Sequence, residues 1–334
     1  MKALVLSSPG RLTMADMPKP SPGAGELLIK TKAATICTSD LADIRENPFG
    51  IKLPMIMGHE GAGVVEEAGS GAGFEIGDEV AAHPVMHCGK CISCKRGLFH
   101  LCDDMAHLGL NVGGAFAEYF VIRADRARKK PGKLSFAEST LMEPVCVCLE
   151  AVERANVTEK SNVLVIGDGP FGILIAKLAK KKRPTNVIVS GRHGYRLSMA
   201  GAKTVNEKTS KDAAGEIMAL TGGGGIDSCI VCAANGEAVE TGISVLRSRG
   251  TLCLFSGHSG RTPVDLFKVH VKELNITGSC NDAGFLDEAL DLLSDGRLGL
   301  GKVITHTFPF EDCEKAFRQA EYGKDSGLKV SLEI

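Results

Sequence analysis

Over the first part of the chain, apolar positions come in short runs broken by glycine: GELLIKTKAATI, GAGVVEEAG, GDEVAAH and GAFAEYFVI. Runs of this length with glycine breaks predict strands of a small, irregular β domain. The character changes near residue 150. From Asn162 onward NVLVIG reads as an apolar strand, and PFGILIAKLAKKKR repeats with the period of a helix. NVIVSG, a short helix, KTV, a helix around DAAGEIMALTG, IDSCIVCAA, a helix around GEAVETGISVLRS and GTLCLFSG follow. Strands alternating with helices predict βαβ units and a parallel sheet. After NITGSC the pattern turns helical again in FLDEALDLLSDG and FEDCEKAFRQAEY, and GLKVSLEI reads as a strand. That last part is too short to form a domain alone and is expected to pack back on the N-terminal half. The expected division is a β-rich domain over 1–145, a dinucleotide-binding domain over 146–275 and a returning segment over 276–334.

Composition narrows the function classes. A length of 334 residues suits about two domains. The net charge of −1 gives no global field that would favour nucleic acid or a membrane surface. No apolar stretch approaches the ~20 residues a membrane helix needs. MKALVLSSPGRLTM lacks a cleavable signal pattern. Twelve cysteines in such a chain read as reduced thiols and metal ligands, so a cytoplasmic location is expected.

Four of those cysteines carry a strong signal. Cys88, Cys91, Cys94 and Cys102 lie in HCGKCISCKRGLFHLCDD, with two residues between the first pairs and seven before the last. Four thiolates on one short loop can close a tetrahedron around Zn²⁺ and leave no open position, which predicts a structural zinc. Buried apolar cysteines would not produce this spacing.

Residues 163–172 read VLVIGDGPFG, a strand, then Gly167-x-Gly169-x-x-Gly172, then a helix opened by Pro170 and Phe171. The glycines permit a tight turn, close approach of a pyrophosphate and tight helix–strand packing. The phosphates would sit at the helix N-terminus, where free N–H groups and the dipole favour anions. A carboxylate at the end of the next strand would bind the ribose 2′-hydroxyl of NAD(H). The chain instead has Ser190, Gly191 and Arg192, followed by His193, Tyr195 and Arg196. Arg192 offers a planar donor fork that suits phosphate, which predicts NADP(H). With Arg192 as a solvated loop residue, NAD(H) is the alternative.

Cys37 in TICTSD, His59 and Glu60 in GHEGAG, and Glu143 in MEPVC are further metal-ligating types, none diagnostic alone. Together with the four-cysteine loop and the glycine loop they give the chain a recognisable order. GHExxGxV from Gly58, FxxGDxV from Phe74, the four cysteines, Glu143-Pro144 and the glycine fingerprint follow in turn. In these motifs, over essentially its whole length, the chain resembles the zinc-dependent medium-chain dehydrogenase/reductase family, closest to its polyol (sorbitol-type) branch.

The resemblance implies an α/β protein: a GroES-like β-rich catalytic domain plus a Rossmann doubly wound parallel sheet. It assigns a catalytic zinc to Cys37, His59 and Glu143, with Glu60 beside it as an alternating or outer ligand. Three protein ligands and an open position suit catalysis. By chemistry alone Cys146 and Cys148 rival Glu143 as third ligand; the family register favours Glu143 and leaves the two cysteines to the core. Ser39 stands where the family places its proton-relay hydroxyl, and Ala42 where relatives often carry a histidine. Asp40 either orients that loop or is a plain turn carboxylate. A homodimer or homotetramer is implied.

The expected activity is hydride transfer between a secondary alcohol, such as a polyol or sugar alcohol, and NADP, reversible with the ketone. The alternatives are an NAD-dependent dehydrogenase of the same family, an NADPH-dependent carbonyl reductase, and a non-catalytic redox or scaffold relative. Substrate-lining side chains are expected over 38–49, 107–116 and 281–285. His83, His87, His100 and His107 are read as surface or supporting groups near the four-cysteine loop. The basic run 180–183 is read as a solvated helix end. The glycine run 222–225 lacks the following Lys-Ser/Thr of a P-loop.

Overall fold

The computed structural model describes residues 1–233, 235–257 and 260–334. It divides into two compact units. The first comprises Met1–Cys146, Ala283–Gly323 and Lys329–Ile334; the second comprises Val147–Asp282 and Lys324–Leu328. The chain leaves the second unit after Asp282, later than the 275/276 division expected from the sequence, and 324–328 rejoins it. A bond within the second unit accompanies that return: Arg196 Nε donates to the carbonyl of Gly327 at 2.9 Å.

The first unit is built on a seven-stranded sheet. Its long strand β1 (Glu26–Ile36) is buried along most of its length. At Ile36 the chain turns directly into helix α1 (Thr38–Glu46), with Cys37 as its N-cap. Asp40 accepts the backbone N–H of Cys37 at 2.8 Å, one half of a capping box that fixes where the helix starts. Strand β2 (Glu60–Ala68) pairs antiparallel with β1 and sets Thr35 opposite Glu60. Leu27, Ile29, Met57, Val65, Val80, Phe116 and Phe120 fill the core of this unit. Each such side chain contributes about 1.5–3 kcal/mol when fully buried.

The second unit contains a six-stranded, wholly parallel sheet. In chain order it begins with β3 (Asn162–Ile166), followed by helix α2 (Pro170–Ala179), strand β4 (Asn186–Gly191) and helix α3 (Gly194–Ser198). Across the sheet the third strand lies beside the second, then the first, fourth, fifth and sixth. The order reverses at β3, which makes a doubly wound sheet with a binding crevice at the carboxyl ends of its strands. The apolar run of β3 is buried apart from Asn162, as strands covered on both faces require.

The last strand of the chain, β5 (Lys329–Glu333), returns to the first unit. It pairs antiparallel with β1, Val330 opposite Ile36 and Leu332 opposite Ala34, and parallel with Ile304–Pro309. That register brings Lys329 to the end of β1 where Cys37 and Glu60 stand. Among the described residues no helix is long and apolar enough to cross a membrane.

Candidate active site and metal centres

Three metal-ligating side chains meet at the end of β1. Cys37, His59 and Glu60 are all buried, and their ligand atoms lie within 4.8 Å of one another. Local folding puts them there. Cys37 is the cap of α1, Glu60 opens β2, and His59 precedes Glu60. Asp40 ties them together: Oδ2 accepts from the Cys37 backbone, and Oδ1 stands 3.1 Å from His59 Nδ1. A carboxylate on Nδ1 orients the ring so that Nε2 is left for a metal. Of the two roles open to Asp40, the structure displays the orienting one.

Glu60 is held from both sides. Its Oε1 accepts from Lys329 Nζ at 2.8 Å, and its Oε2 accepts from the Thr35 hydroxyl, which is 3.0 Å from that of Thr140. Burial works against the Lys329 charge, but Glu60, Cys37 and Glu143 outweigh it and raise its pKa above the ordinary value. Glu143 is buried in the first turn of the helix Met142–Arg154 and lies outside the 4.8 Å grouping. The structure therefore draws Glu60 rather than Glu143 in with Cys37 and His59. Ser39 is half-buried in the first turn of α1, and Thr38 is exposed. Cys146 and Cys148 are fully buried.

One residue of this region went unrecognised from sequence. Lys329 was hidden in a terminal strand, although a lone lysine inside the apolar run LKVSLEI was a signal. His107, placed by the sequence both near the four-cysteine loop and in the substrate-lining stretch 107–116, has its ring centroid 5.6 Å from that of His59. Its Nδ1 is 2.7 Å from the Leu108 carbonyl, and burial, helped by His59, depresses its pKa to about 3. His107 is therefore a neutral hydrogen-bonding group beside the site at physiological pH.

The four cysteines converge as their spacing requires. The sulfurs of Cys88, Cys91, Cys94 and Cys102 lie within 4.8 Å of one another. Backbone N–H groups point at them: Cys88 N to Cys102 Sγ at 3.3 Å, Cys91 N to Cys88 Sγ and Cys94 N to Cys91 Sγ, each at 3.4 Å. N–H groups from Lys90 and Cys91 lower the Cys88 pKa to about 7, whereas burial pushes Cys94 up to about 12. Donors aimed at sulfur favour thiolates, the form a zinc ion binds. This donor set fits a closed structural zinc, and the set around Cys37 fits an open one.

In the second unit, Gly169 caps α2 and Pro170 occupies its first turn. A Cβ at Gly172 would collide with the Gly167 carbonyl, so only glycine lets the helix close on the loop. Phe171 packs against Phe255 with ring centroids 5.2 Å apart. At the end of β4, Ser190 Oγ donates to Glu207 Oε1 at 2.7 Å, and Arg192 is exposed. Arg196 is buried, its Nε donating to the Gly327 carbonyl and its charge interacting with Asp168. Asp168 of the glycine loop reaches this strand end and accepts the backbone N–H of Arg192 at 2.7 Å.

Comparison with known proteins identifies two family domains. Residues 23–132 match the alcohol dehydrogenase GroES-like domain, and residues 170–295 match the zinc-binding dehydrogenase domain. The chain is 34% identical to an L-threonine 3-dehydrogenase of Pyrococcus horikoshii, over 100% of this chain and 99% of that protein. It is 30% identical to a sorbitol dehydrogenase of Bacillus subtilis, over 99% and 97% of the two chains. Among solved structures, an alcohol dehydrogenase from E. coli CFT073 complexed with NADH superposes with a TM-score of 0.92 at 30% identity, covering 100% and 99% of the two chains. A zinc-binding dehydrogenase of Sinorhizobium meliloti bound to NADP does so with a TM-score of 0.90 at 26% identity, with the same coverage.

Proposed function

The chain belongs to the zinc-dependent medium-chain dehydrogenase/reductase family, in its polyol dehydrogenase branch, and we propose that it interconverts a polyol or sugar alcohol and its ketone. The observation that carries this reading is the buried meeting of Cys37, His59 and Glu60, with Asp40 orienting the histidine. Zn²⁺ held by Cys37, His59 and a carboxylate supplies a Lewis acid, which makes an alcohol hydroxyl more acidic and polarises a carbonyl in the reverse direction.

The rest is the work of the chain's own side chains. Glu60 and Glu143 are the candidate carboxylate ligands, and Lys329 and Thr35 hold Glu60 in place. Ser39, in the first turn of α1, takes the hydroxyl proton and passes it outward; with Ala42 where a histidine would extend the path, water carries it on. Buried, neutral His107 offers a hydrogen bond without adding charge. The glycine loop and the N-terminus of α2 take the pyrophosphate of a nicotinamide dinucleotide, which accepts or gives the hydride. Exposed Arg192 supports NADP(H), and the carboxylates beside it support NAD(H).

A second substrate reading has its own support, since several relatives are L-threonine 3-dehydrogenases. The hydroxyl of threonine is also on a secondary carbon, so the same centre could serve both. Following nicotinamide absorbance with polyols and L-threonine side by side separates them. Turnover of threonine alone would reject the polyol reading. A homo-oligomer and a cytoplasmic location complete the proposal, the latter supported by the twelve cysteines of the chain, five of which the two metal centres would use.

A further inference from the structure

Asp168 sits within the glycine loop and is only 7% exposed. Its Oδ2 accepts the backbone N–H of Arg192 at 2.7 Å and that of His193 at 2.6 Å, and His193 Nδ1 stands 3.1 Å from the same oxygen. Room for this comes from Gly191. A Cβ there would lie 2.5 Å from Asp168 Cβ and 2.7 Å from its Cγ and Oδ2. The Asp168 side chain thus fills the space that a side chain at position 191 would occupy. A carboxylate in that place is the group that accepts from an adenosine ribose in doubly wound sheets. The chain delivers it from the end of β3 instead of the end of β4.

The surroundings add to its effect. Glu207 brings a second carboxylate to Ser190 at 2.7 Å, and its backbone N–H donates to the Gly191 carbonyl at 2.8 Å. Of the nearby cations, Arg196 donates to the Gly327 carbonyl through Nε and its charge is felt by Asp168, while the Arg192 side chain is exposed. A ribose 2′-phosphate placed here would meet a carboxylate of like charge. It would also find the backbone N–H groups of Arg192 and His193 already donated to Asp168. A ribose diol would find an acceptor. We propose that Asp168 is the specificity-determining residue for the dinucleotide, accepting from the ribose hydroxyls of NAD(H) and disfavouring the 2′-phosphate of NADP(H). The inference rests on the reading of the second unit as a dinucleotide site.

The test is titration of the full-length protein with NADH and with NADPH, monitored by nicotinamide fluorescence. The wild type is expected to bind NADH at least about tenfold more tightly. Asp168→Ser is expected to erode that ratio by about tenfold or more, with NADPH gaining. Gly191→Ala, which pushes the carboxylate from its place without removing it, should shift the ratio the same way. Tighter binding of NADPH by the wild type would overturn the proposal. So would an unchanged ratio in both variants with their thermal melts intact. Binding of neither dinucleotide by the wild type would overturn the dinucleotide-site reading itself, a distinct result.

Discussion

Lys329 Nζ lies 2.8 Å from Glu60 Oε1, and both side chains are almost wholly removed from solvent. A buried pair of this kind gives little net stability, but removing one partner strands the other and costs about 3–5 kcal/mol. Lys329→Met is therefore expected to lower unfolding stability by about that amount, measured by urea denaturation, and the double variant Lys329→Met/Glu60→Gln to recover much of it. The Lys329 pKa is raised above 10.5, so its contribution is fully present below that pH and is lost as the pH rises past it. The alkaline limb of the wild-type stability profile should flatten in Lys329→Met. Equal stability of the single variant and the wild type would contradict this account of the pair.

Asp40 touches both Cys37 and His59, so in the proposed centre it would position two ligands. Losing such a partner commonly weakens metal affinity by about 10–100-fold. Asp40→Ala should show that loss in competition with a chromophoric chelator at the catalytic centre alone. The four-cysteine zinc, whose ligands lie elsewhere in the first unit, should keep its affinity.

In the proposed assignment the four-cysteine loop holds a structural zinc and takes no part in the chemistry. Cys91→Ser should lower the thermal midpoint and release zinc, while molecules that remain folded keep their turnover at low temperature. Loss of turnover with an unchanged melt would assign this loop a part in the chemistry.

His107 is held neutral beside His59 by burial. His107→Phe keeps the ring and removes the hydrogen bond. It should raise KM for the alcohol by about tenfold, roughly the worth of one hydrogen bond, with a smaller change in kcat. A fall in kcat with KM unchanged would instead place His107 in the proton path.

The fold was legible because its signals are local. NVLVIG followed by GDGPFG announces a strand and a phosphate-binding turn within a few residues, and the spacing of Cys88, Cys91, Cys94 and Cys102 announces a tetrahedron. What escaped depends on contacts distant in sequence. Lys329 meets Glu60 across 269 residues through strand pairing that a terminal LKVSLEI cannot reveal. The NADP(H) expectation rested on the absence of an acid at the end of β4. Asp168, which approaches that strand end across 24 residues in space that Gly191 leaves open, was not legible there. Glu60 and Glu143 were both named as carboxylates of the catalytic centre, but motif order could not show that β2 draws Glu60 into the group with Cys37 and His59.

The central claim is that the centre at Cys37 and His59 is the zinc that works on the alcohol. Zinc content by plasma emission should be read together with nicotinamide turnover on a panel of polyols, simple secondary alcohols and L-threonine, for the wild type and for Cys37→Ser. The account predicts about two zinc ions per wild-type chain with turnover, and about one in a folded Cys37→Ser without it. Full turnover in a Cys37→Ser chain that has lost one zinc would contradict it.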